Sequence, residues 1–320
     1  MVNRNLRSKP RGALLHSPQS RHGDKVFFCQ HGQRHWIMDG AWVAQNGFVW
    51  QDDLQTVSPS IIDAFAPGRR APLDWDDGAR LAPPRTGVGV MREVAVSGLR
   101  GSGVEFGAGA NAMPIPLDCT VRYADIYTLD ELQLHEYEGQ TTADLLRPDI
   151  IASLDDMSVI SDGSVDFIVA CHVIEHVSNP IAALTNSWAK LRPGGSLVLV
   201  VPEMTRTFDR YRELTTIEHL MEDDAKQEIL KVRDGEHFRE FYSLAFPTPA
   251  DQYESLWRQK WAEAYPIHYH TWTYDSFSEL IGVLTAPGGR LADAMVWSQP
   301  PLDDINECIE FWFALTKPEA

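Results

Sequence analysis

The chain has few cysteines, a shortage of positive charge and no long apolar run. Its four cysteines are scattered over 320 residues, which disfavours a disulfide framework or a zinc ribbon. No apolar stretch reaches the length of a membrane span, and the basic opening residues lack the continuous apolar core of a secretory signal. Lysine and arginine number 28 against 45 acidic residues, and the resulting net charge of −17 repels nucleic acid. We therefore expect a cytoplasmic protein that has no membrane span and binds no nucleic acid.

Composition divides the chain into a small N-terminal part and a larger C-terminal part. Residues 1–24 carry several arginines and predict a flexible basic arm, whereas residues 25–68 predict a small accessory module of helices and strands. Residues 69–86 are rich in proline, glycine and aspartate and predict a linker. We expect the main domain over residues 87–320, with acceptor-binding or lid insertions at about 203–275.

Strands and helices alternate along the main domain. Runs of apolar and β-branched residues predict five strands, at residues 103–106, 121–125, 164–171, 196–202 and 309–316. Between two of them, Asn179 can cap a helix that begins with Pro180 and buries one apolar face up to Leu191. Further helices are expected at residues 88–99, 215–230 and 276–284. Such alternation predicts an α/β fold with a doubly wound, mostly parallel sheet that helices cover on both faces.

The most informative motif is the turn Gly107-Ala-Gly109, which directly follows a predicted strand. Glycine has no Cβ, so the backbone can turn tightly there and approach a ligand closely. Asp125 ends the next predicted strand, where its carboxylate can accept hydrogen bonds from both hydroxyls of a ribose. A glycine turn followed by an acid predicts a nucleotide-cofactor site. The third glycine of a dinucleotide fingerprint is missing, although a dehydrogenase remains an alternative at this point.

Several segments, taken in order, resemble the class I S-adenosylmethionine-dependent methyltransferases. The matching segments are residues 105–109, Asp125, residues 166–176 and residues 191–199. Residues 207–219 and 268–272 further resemble a bacterial subgroup associated with glycosyltransferases and surface-glycan synthesis. The resemblance implies a Rossmann-like fold with a small N-terminal module, S-adenosylmethionine as the cofactor, and methyl transfer as the reaction.

The resemblance also implies which residues hold the cofactor. The glycine turn and the acid before it would line the methionine portion, the next acid would bind the ribose, and a leucine–aspartate pair would contact the adenine. A cysteine and a histidine at the end of the predicted strand at residues 164–171 would lie beneath the transferable methyl group. In chain order these residues are Glu105, Gly107, Gly109, Asp125, Leu154, Asp155, Cys171 and His172.

One stretch departs from the family pattern. The glycine turn is followed by residues 110–116, which contain Pro114 and Pro116 in place of a third glycine and a long helix. Because a helix interior does not tolerate proline, we expect the first helix to be short or to begin at Pro114.

Transfer of a methyl group to a hydroxyl requires a base, because the hydroxyl proton must leave as the new bond forms. Histidine suits this role near neutral pH, and the candidates are His176, His268 and His270. His172 and His176 also have the spacing of two metal ligands on one helical turn. We predict no metal there, because the same glutamate–histidine pair occurs at this place in methyltransferases that need none.

Acceptor-binding residues are expected just after the predicted strand at residues 196–202, since open α/β sheets bind ligands at the carboxyl ends of their strands. The charged candidates are Arg206, Asp209 and Arg212. Trp272 is the aromatic candidate, whose ring can stack on a sugar. The alternatives are that the charged residues form ion pairs on a helix surface and that the aromatic ring belongs to a core.

Together these expectations favour O-methylation of a sugar or glycan-linked acceptor, with a glycosyltransferase as the implied partner. Two alternatives stay open. The chain could be a non-catalytic scaffold that retains the fold, or a methyltransferase that acts on a small non-sugar metabolite.

Overall fold

The computed structural model describes residues 13–22, 24–30, 33–37, 42–43, 48–67, 88–135, 137, 145–225, 227–246, 249–302 and 308–319. The expected linker, residues 69–86, and residues 1–12 of the expected basic arm lie outside this described part. Among the described helices, none is long and apolar enough to cross a bilayer.

The described residues of the N-terminal module form short strands and short helices. They are β1 (Ala13–His16), β2 (Val26–Gln30), β3 (Gln33–Trp36), α1 (Trp50–Asp53), β4 (Leu54–Thr56), α2 (Pro59–Ala64) and β5 (Ala66–Pro67). The strands form one sheet in the order β4-β1-β2-β3-β5, with Leu14 and Phe28 packed on one face and Leu15 and Phe27 on the other. The expected boundary at residue 25 is therefore too late, because β1 pairs with both β2 and β4 and belongs to the module.

Seven strands within the described part of the chain form the sheet of the main domain. They are β6 (Ser102–Phe106), β7 (Thr120–Asp125), β8 (Ile150–Ile151), β9 (Val165–Cys171), β10 (Leu191–Pro202), β11 (Met295–Gln299) and β12 (Glu310–Thr316). Their order in the sheet is β11-β12-β10-β9-β6-β7-β8. Strands β6 to β10 run parallel to their neighbours, whereas β12 is antiparallel to β10 and β11 is antiparallel to β12. The predicted α/β fold with a mostly parallel sheet is confirmed.

Helices pack on both faces of this sheet. The helices of the described part are α3 (Val88–Val96), α4 (Leu129–His135), α5 (Pro180–Lys190), α6 (Ile217–Ala225), α7 (Gln227–Leu244), α8 (Ala250–Ala262) and α9 (Tyr274–Thr285). Helix α3 packs on one face of the sheet and α5 and α9 pack on the other, whereas α7 and α8 pack against each other. The predicted start of α5 is confirmed, since the Asn179 side chain accepts a hydrogen bond from the Ala182 amide at 2.9 Å. Along β9, Phe167 joins the core on one face and Ile168 joins the core on the other, as a doubly wound sheet requires.

The chain reverses its direction across the sheet at β6. Strands β7 and β8 are added on one side of β6, after which the chain crosses back and adds β9 and β10 on the other side. In open α/β sheets a ligand crevice forms at such a reversal, outside the carboxyl ends of the strands. The loops that follow Phe106 and Cys171 therefore meet where a ligand is expected.

The connection between β6 and β7 contains no helix. Residues 107–119, all of which the structure describes, form turns and irregular backbone, so the expected helix at Pro114 is wrong. Pro114 and Pro116 lack amide donors, and the amide of Met113 donates to the buried side chain of Glu105 at 2.7 Å rather than to a helical carbonyl.

Candidate active site

A cavity of about 540 Å³ lies at the carboxyl ends of the parallel strands. Its wall is contributed by the loops after β6, β7, β8 and β9 and by residues 264–269, which follow α8. Residues from these five places include Gly107, Asp125, Ala152, Cys171 and Tyr269. Its size and position are those of a small-molecule site.

The two glycines of the turn leave bare backbone facing this cavity. Gly107 has φ +68°, and a Cβ built on it would lie 2.6 Å from Cγ2 of Val173. Gly109 has φ +46°, and its Cβ would overlap the hydroxyl of Tyr137. Both conformations disfavour side chains, and Val173 and Tyr137 themselves line the cavity. Only glycine fits at these two positions without displacing the cavity wall.

Glu105 does not line the cavity, in contrast to its expected contact with the methionine portion of a cofactor. Its side chain is buried, and Oε1 accepts the hydrogen bond from the Met113 amide. The other oxygen, Oε2, has no hydrogen-bond partner within the described part of the chain. Burial raises the pKa of Glu105 to about 8, so the carboxyl is largely protonated at neutral pH. The position of Glu105 suits it to fix the loop between Gly107 and Met113.

The expected ribose and adenine residues lie together along one part of the cavity wall. Asp125, Leu154 and Asp155 all line the cavity, and the Ala152 amide donates to the Asp125 backbone carbonyl at 2.9 Å. One oxygen of the Asp125 carboxylate accepts a hydrogen bond from the Tyr127 amide at 3.1 Å. Burial raises the pKa of Asp125 above its usual value and the pKa of Asp155 to about 6.

Cys171 and His172 line the cavity at the end of β9, and His172 belongs to a charged contact that the sequence did not reveal. Nε2 of His172 lies 2.7 Å from Oε2 of Glu310, the first residue of β12. Arg92 from α3 donates to both oxygens of Glu310, at 2.8 and 2.7 Å, and itself lines the cavity. His172 holds this position with φ 54°, a left-handed conformation that is rare for histidine.

The hydrogen bonds and charges within this contact shift the pKa values of Glu310 and His172 in opposite directions. Burial would raise the pKa of Glu310, but the hydrogen bonds from Arg92 and His172 outweigh it and bring that pKa to about 2. Burial would lower the pKa of His172, but Glu310 and Glu175 outweigh it and leave that pKa above its usual value. A glutamate within the apolar strand β12 was the available sequence signal, because a buried carboxylate requires partners.

His176 lies in the cavity wall with one ring nitrogen already engaged. Its Nδ1 is 2.9 Å from the carbonyl oxygen of Ile267, which can only accept, so Nδ1 carries the proton and Nε2 carries the lone pair. Burial lowers the pKa of His176 to about 4, so the ring is neutral at physiological pH. The fixed tautomer leaves the Nε2 lone pair available to accept a proton, while the lowered pKa makes this imidazole a weaker base than an exposed histidine.

His268 lies directly behind His176 and does not line the cavity. The two rings meet edge to face with centroids 4.7 Å apart. Nδ1 of His268 is 2.6 Å from the carboxylate of Asp209, which is itself buried. Asp209 therefore orients His268 and does not reach the cavity as an acceptor-binding residue.

A second buried acid, Glu175, lies between two of these histidines. Its Oε1 is 3.9 Å from Nδ1 of His172 and 4.0 Å from Nε2 of His268. Neither carboxylate oxygen makes a hydrogen bond within the residues that the structure describes. Sequence reasoning noted the glutamate–histidine pair here but assigned Glu175 no role.

Two expected acceptor-binding arginines lie away from the cavity. Nη1 of Arg212 donates to Asp209 at 3.0 Å and to the His268 carbonyl at 2.8 Å, and its side chain is 1% exposed. Arg206 donates to the backbone carbonyls of Leu302 and Cys308. Both guanidinium groups stabilise loops, because each donates to backbone carbonyls of segments that are distant in sequence.

Two further expected site residues belong to the interior. Trp272 is 1% exposed and packs edge to face on Phe277 at 5.2 Å, which leaves no face for a sugar. His270 is fully buried, and its Nε2 lies 3.3 Å from the carbonyl oxygen of Ser178. His270 does not line the cavity and is not placed to act as the base.

Comparison with known proteins assigns the chain to a family. A family model described as a methyltransferase domain matches residues 86–281, more than half of the chain. No curated protein matches.

Among solved structures, a SAM-dependent methyltransferase from Thermotoga maritima is 15% identical, with 72% of this chain and 89% of that chain covered and a TM-score of 0.37. A SAM-dependent methyltransferase from Methanosarcina mazei is also 15% identical, with 68% and 93% covered and a TM-score of 0.33. The CurJ carbon methyltransferase is 14% identical, with 72% and 55% covered and a TM-score of 0.37. Since the family model spans strands β6 to β10 and the segments that line the cavity, the chain belongs to the methyltransferase domain family and is a class I enzyme that depends on S-adenosylmethionine.

Proposed function

We propose that the enzyme methylates a hydroxyl group of a sugar or of a glycan-linked acceptor. The observation that carries this proposal is His176, a neutral imidazole in the cavity wall whose Nδ1 is held by the Ile267 carbonyl. Oxygen acceptors need such a base, because a hydroxyl is a weak nucleophile until its proton is removed. S-Adenosylmethionine, when bound, supplies the electrophilic methyl group.

The cavity residues fit this cofactor. The bare backbone at Gly107 and Gly109 would accommodate the methionine portion, since a Cβ at either position would collide with Val173 or Tyr137 and displace the cavity wall. Asp125 would accept hydrogen bonds from the ribose hydroxyls, and Asp155 would accept one from the adenine amine beside Leu154. Alignment of the reactants and exclusion of water are then the main tasks left to the protein.

The proposed proton path begins at Nε2 of His176. The acceptor hydroxyl donates its proton to this nitrogen, and the Ile267 carbonyl stabilises the opposite N–H of the ring. His268, oriented by Asp209, lies edge to face behind His176 and keeps that ring in place. His176 is thus the proposed catalytic residue, and His268 and Asp209 are positioning residues.

Exposed aromatic rings near these histidines support a sugar as the acceptor. Phe208 is 50% exposed, and its ring centroid lies 4.8 Å from that of His268. Tyr211, three residues later, is 66% exposed, and Tyr269 lines the cavity. Aromatic faces of this kind pack well against the apolar C–H faces of sugars, a role first expected of Trp272. The glycosyltransferase partner stays part of this proposal, with the N-terminal module as its contact.

Cofactor turnover against a panel of nucleotide sugars and oligosaccharides tests the proposal, with product masses identifying the acceptor. We expect His176→Gln to lower kcat by about 10²–10⁴-fold, the usual contribution of a general base, while S-adenosylhomocysteine affinity stays unchanged. His16→Gln, in the N-terminal module, is the matched control and should leave kcat unchanged. Methylation of non-sugar metabolites alone would reject the acceptor class, and a fully active His176→Gln enzyme would reject the base.

A further inference from the structure

We propose that this methyltransferase holds one divalent transition-metal ion, with zinc as the best match, between His219, His237 and His270. The ligand atoms of the three side chains all lie within 4.8 Å of one another. These residues come from α6, from α7 and from the segment before α9, and they are separate from the cavity described above.

The three imidazole rings form a nearly equilateral triangle. Ring centroids are 5.2 Å apart for His219 and His237, 5.5 Å for His219 and His270, and 5.3 Å for His237 and His270. Each pair meets edge to face, with interplanar angles of 73°, 79° and 74°. Three imidazoles that converge without stacking have the arrangement of ligands around one tetrahedral ion, for which zinc–nitrogen distances are about 2.0–2.1 Å.

His270 supplies an independent indication that a ligand belongs here. Its Nε2 lies 3.3 Å from the Ser178 carbonyl, which can only accept, so Nε2 carries the proton and Nδ1 carries the lone pair. Nδ1 is fully buried and has no hydrogen-bond partner within the described residues. Burial of an unsatisfied nitrogen is unfavourable, and coordination of a metal would satisfy it. A ligating histidine that donates its other N–H to a backbone carbonyl is the usual arrangement at metal sites.

Asp223 provides the same kind of support to His219. The two residues are one helical turn apart on α6, and Oδ2 of Asp223 lies 3.1 Å from Nε2 of His219. The carboxylate is buried, with 1% of the side chain exposed. A buried carboxylate this close to a histidine ring increases the basicity of that ring and so favours coordination of a cation. The donor set is three imidazoles, and imidazole ligands favour zinc among the abundant divalent metals.

The ion would connect helices α6 and α7 to the cavity wall. His270 directly follows Tyr269, which lines the cavity, and His268, which contacts the proposed base. Coordination would join this segment to α6 and α7. We assign the metal this positioning role, and its presence does not depend on the identity of the methyl acceptor.

Metal analysis of the full-length enzyme, purified without a metal-affinity step, tests the proposal directly. We expect close to one zinc ion per chain by mass spectrometry of the digested protein. After removal of the metal with a chelator, calorimetric titration should recover one site for Zn²⁺. Co²⁺ in the same site should give the intense visible absorption bands of a tetrahedral complex.

Variants of His237 and of Asp223 provide the decisive comparison. His237→Gln should weaken Zn²⁺ binding by at least 100-fold, and Asp223→Asn should weaken it by about 10–100-fold. His16→Gln, which replaces a histidine outside the cluster, should leave Zn²⁺ binding unchanged. Far-UV circular dichroism and S-adenosylhomocysteine binding check that each variant is folded. Absence of Zn²⁺ binding by the folded wild type, or equal binding by His237→Gln, would overturn the proposal whatever the acceptor panel shows.

Discussion

Replacing Glu310 by glutamine tests whether the buried contact between Arg92, Glu310 and His172 stabilises the fold. The pKa of Glu310 is about 2 rather than 4.5, because hydrogen bonds from Arg92 and His172 outweigh the effect of burial. A difference of about 2.5 pKa units corresponds to roughly 3 kcal/mol of folding free energy. Glu310 is 1% exposed, so solvent screening is small. We therefore expect Glu310→Gln to lower the free energy of unfolding by about 3 kcal/mol near pH 6.

The pH dependence of this loss follows from the two opposite pKa shifts. The pKa of Glu310 is depressed, so its contribution is present above pH 4.5 and is lost as the pH falls towards 2. The pKa of His172 is raised above 6.5, so its contribution is present below pH 6.5 and is lost as the pH rises through the raised value. The difference between wild type and Glu310→Gln should thus be largest between pH 4.5 and 6.5.

Urea unfolding followed by circular dichroism, at about pH 4, 6 and 8, measures the difference. Glu279→Gln, on the exposed surface of α9, is the matched control and should change the free energy of unfolding by less than about 0.5 kcal/mol. A loss for Glu310→Gln below about 1 kcal/mol near pH 6, or one that stays constant from about pH 4 to 8, would refute the reasoning.

Three further changes test the cavity and its surroundings. Gly107→Ala places a Cβ 2.6 Å from Val173, so the dissociation constant for S-adenosylhomocysteine in calorimetry should rise at least tenfold, which is about 1.4 kcal/mol. Gly98→Ala is the control, because its Cβ meets nothing within 4 Å and should leave this dissociation constant unchanged. Burial raises the pKa of Asp155 to about 6, so S-adenosylhomocysteine affinity should fall as the pH drops below that value. Asp155→Asn should abolish this pH dependence, and a pH dependence that persists in the variant would belong to another group. Trp272→Ala should cost about 3–5 kcal/mol in urea unfolding, as for a core tryptophan; a rise in KM with unchanged stability would instead make Trp272 an acceptor contact.

The sequence predicted most of the strands and the order of the elements around the cofactor. Strands such as β9 and β12 are runs of apolar residues between turns, a local pattern that tertiary contacts do not override. Strand β11 was missed because Met295, Val296 and Trp297 are exposed on an edge strand that has no buried face to create an alternating pattern. One predicted helix at residues 215–230 proved to be α6 and the start of α7, since helical periodicity does not show where a helix is interrupted.

The site was predictable only where a single segment carries the information. The glycine turn and Asp125 could be read directly, because their conformation and position follow from the local strand–turn pattern. Arg92 and Glu310 were missed because they are 218 residues apart and meet only through the sheet topology. Trp272 and Arg212 were misassigned for the converse reason, since sequence proximity to the cavity does not determine which way a side chain faces.

The distance in sequence between His172 and Glu310 has a consequence for biosynthesis on the ribosome. Arg92 and His172 emerge early, but the acid that pairs with both of them is translated 138 residues after the histidine. Until then Arg92 lacks the carboxylate that accepts its two hydrogen bonds, and burial of an unpaired guanidinium opposes docking of α3 against the end of β9. This contact therefore forms only after β12 has been translated and has paired with β10.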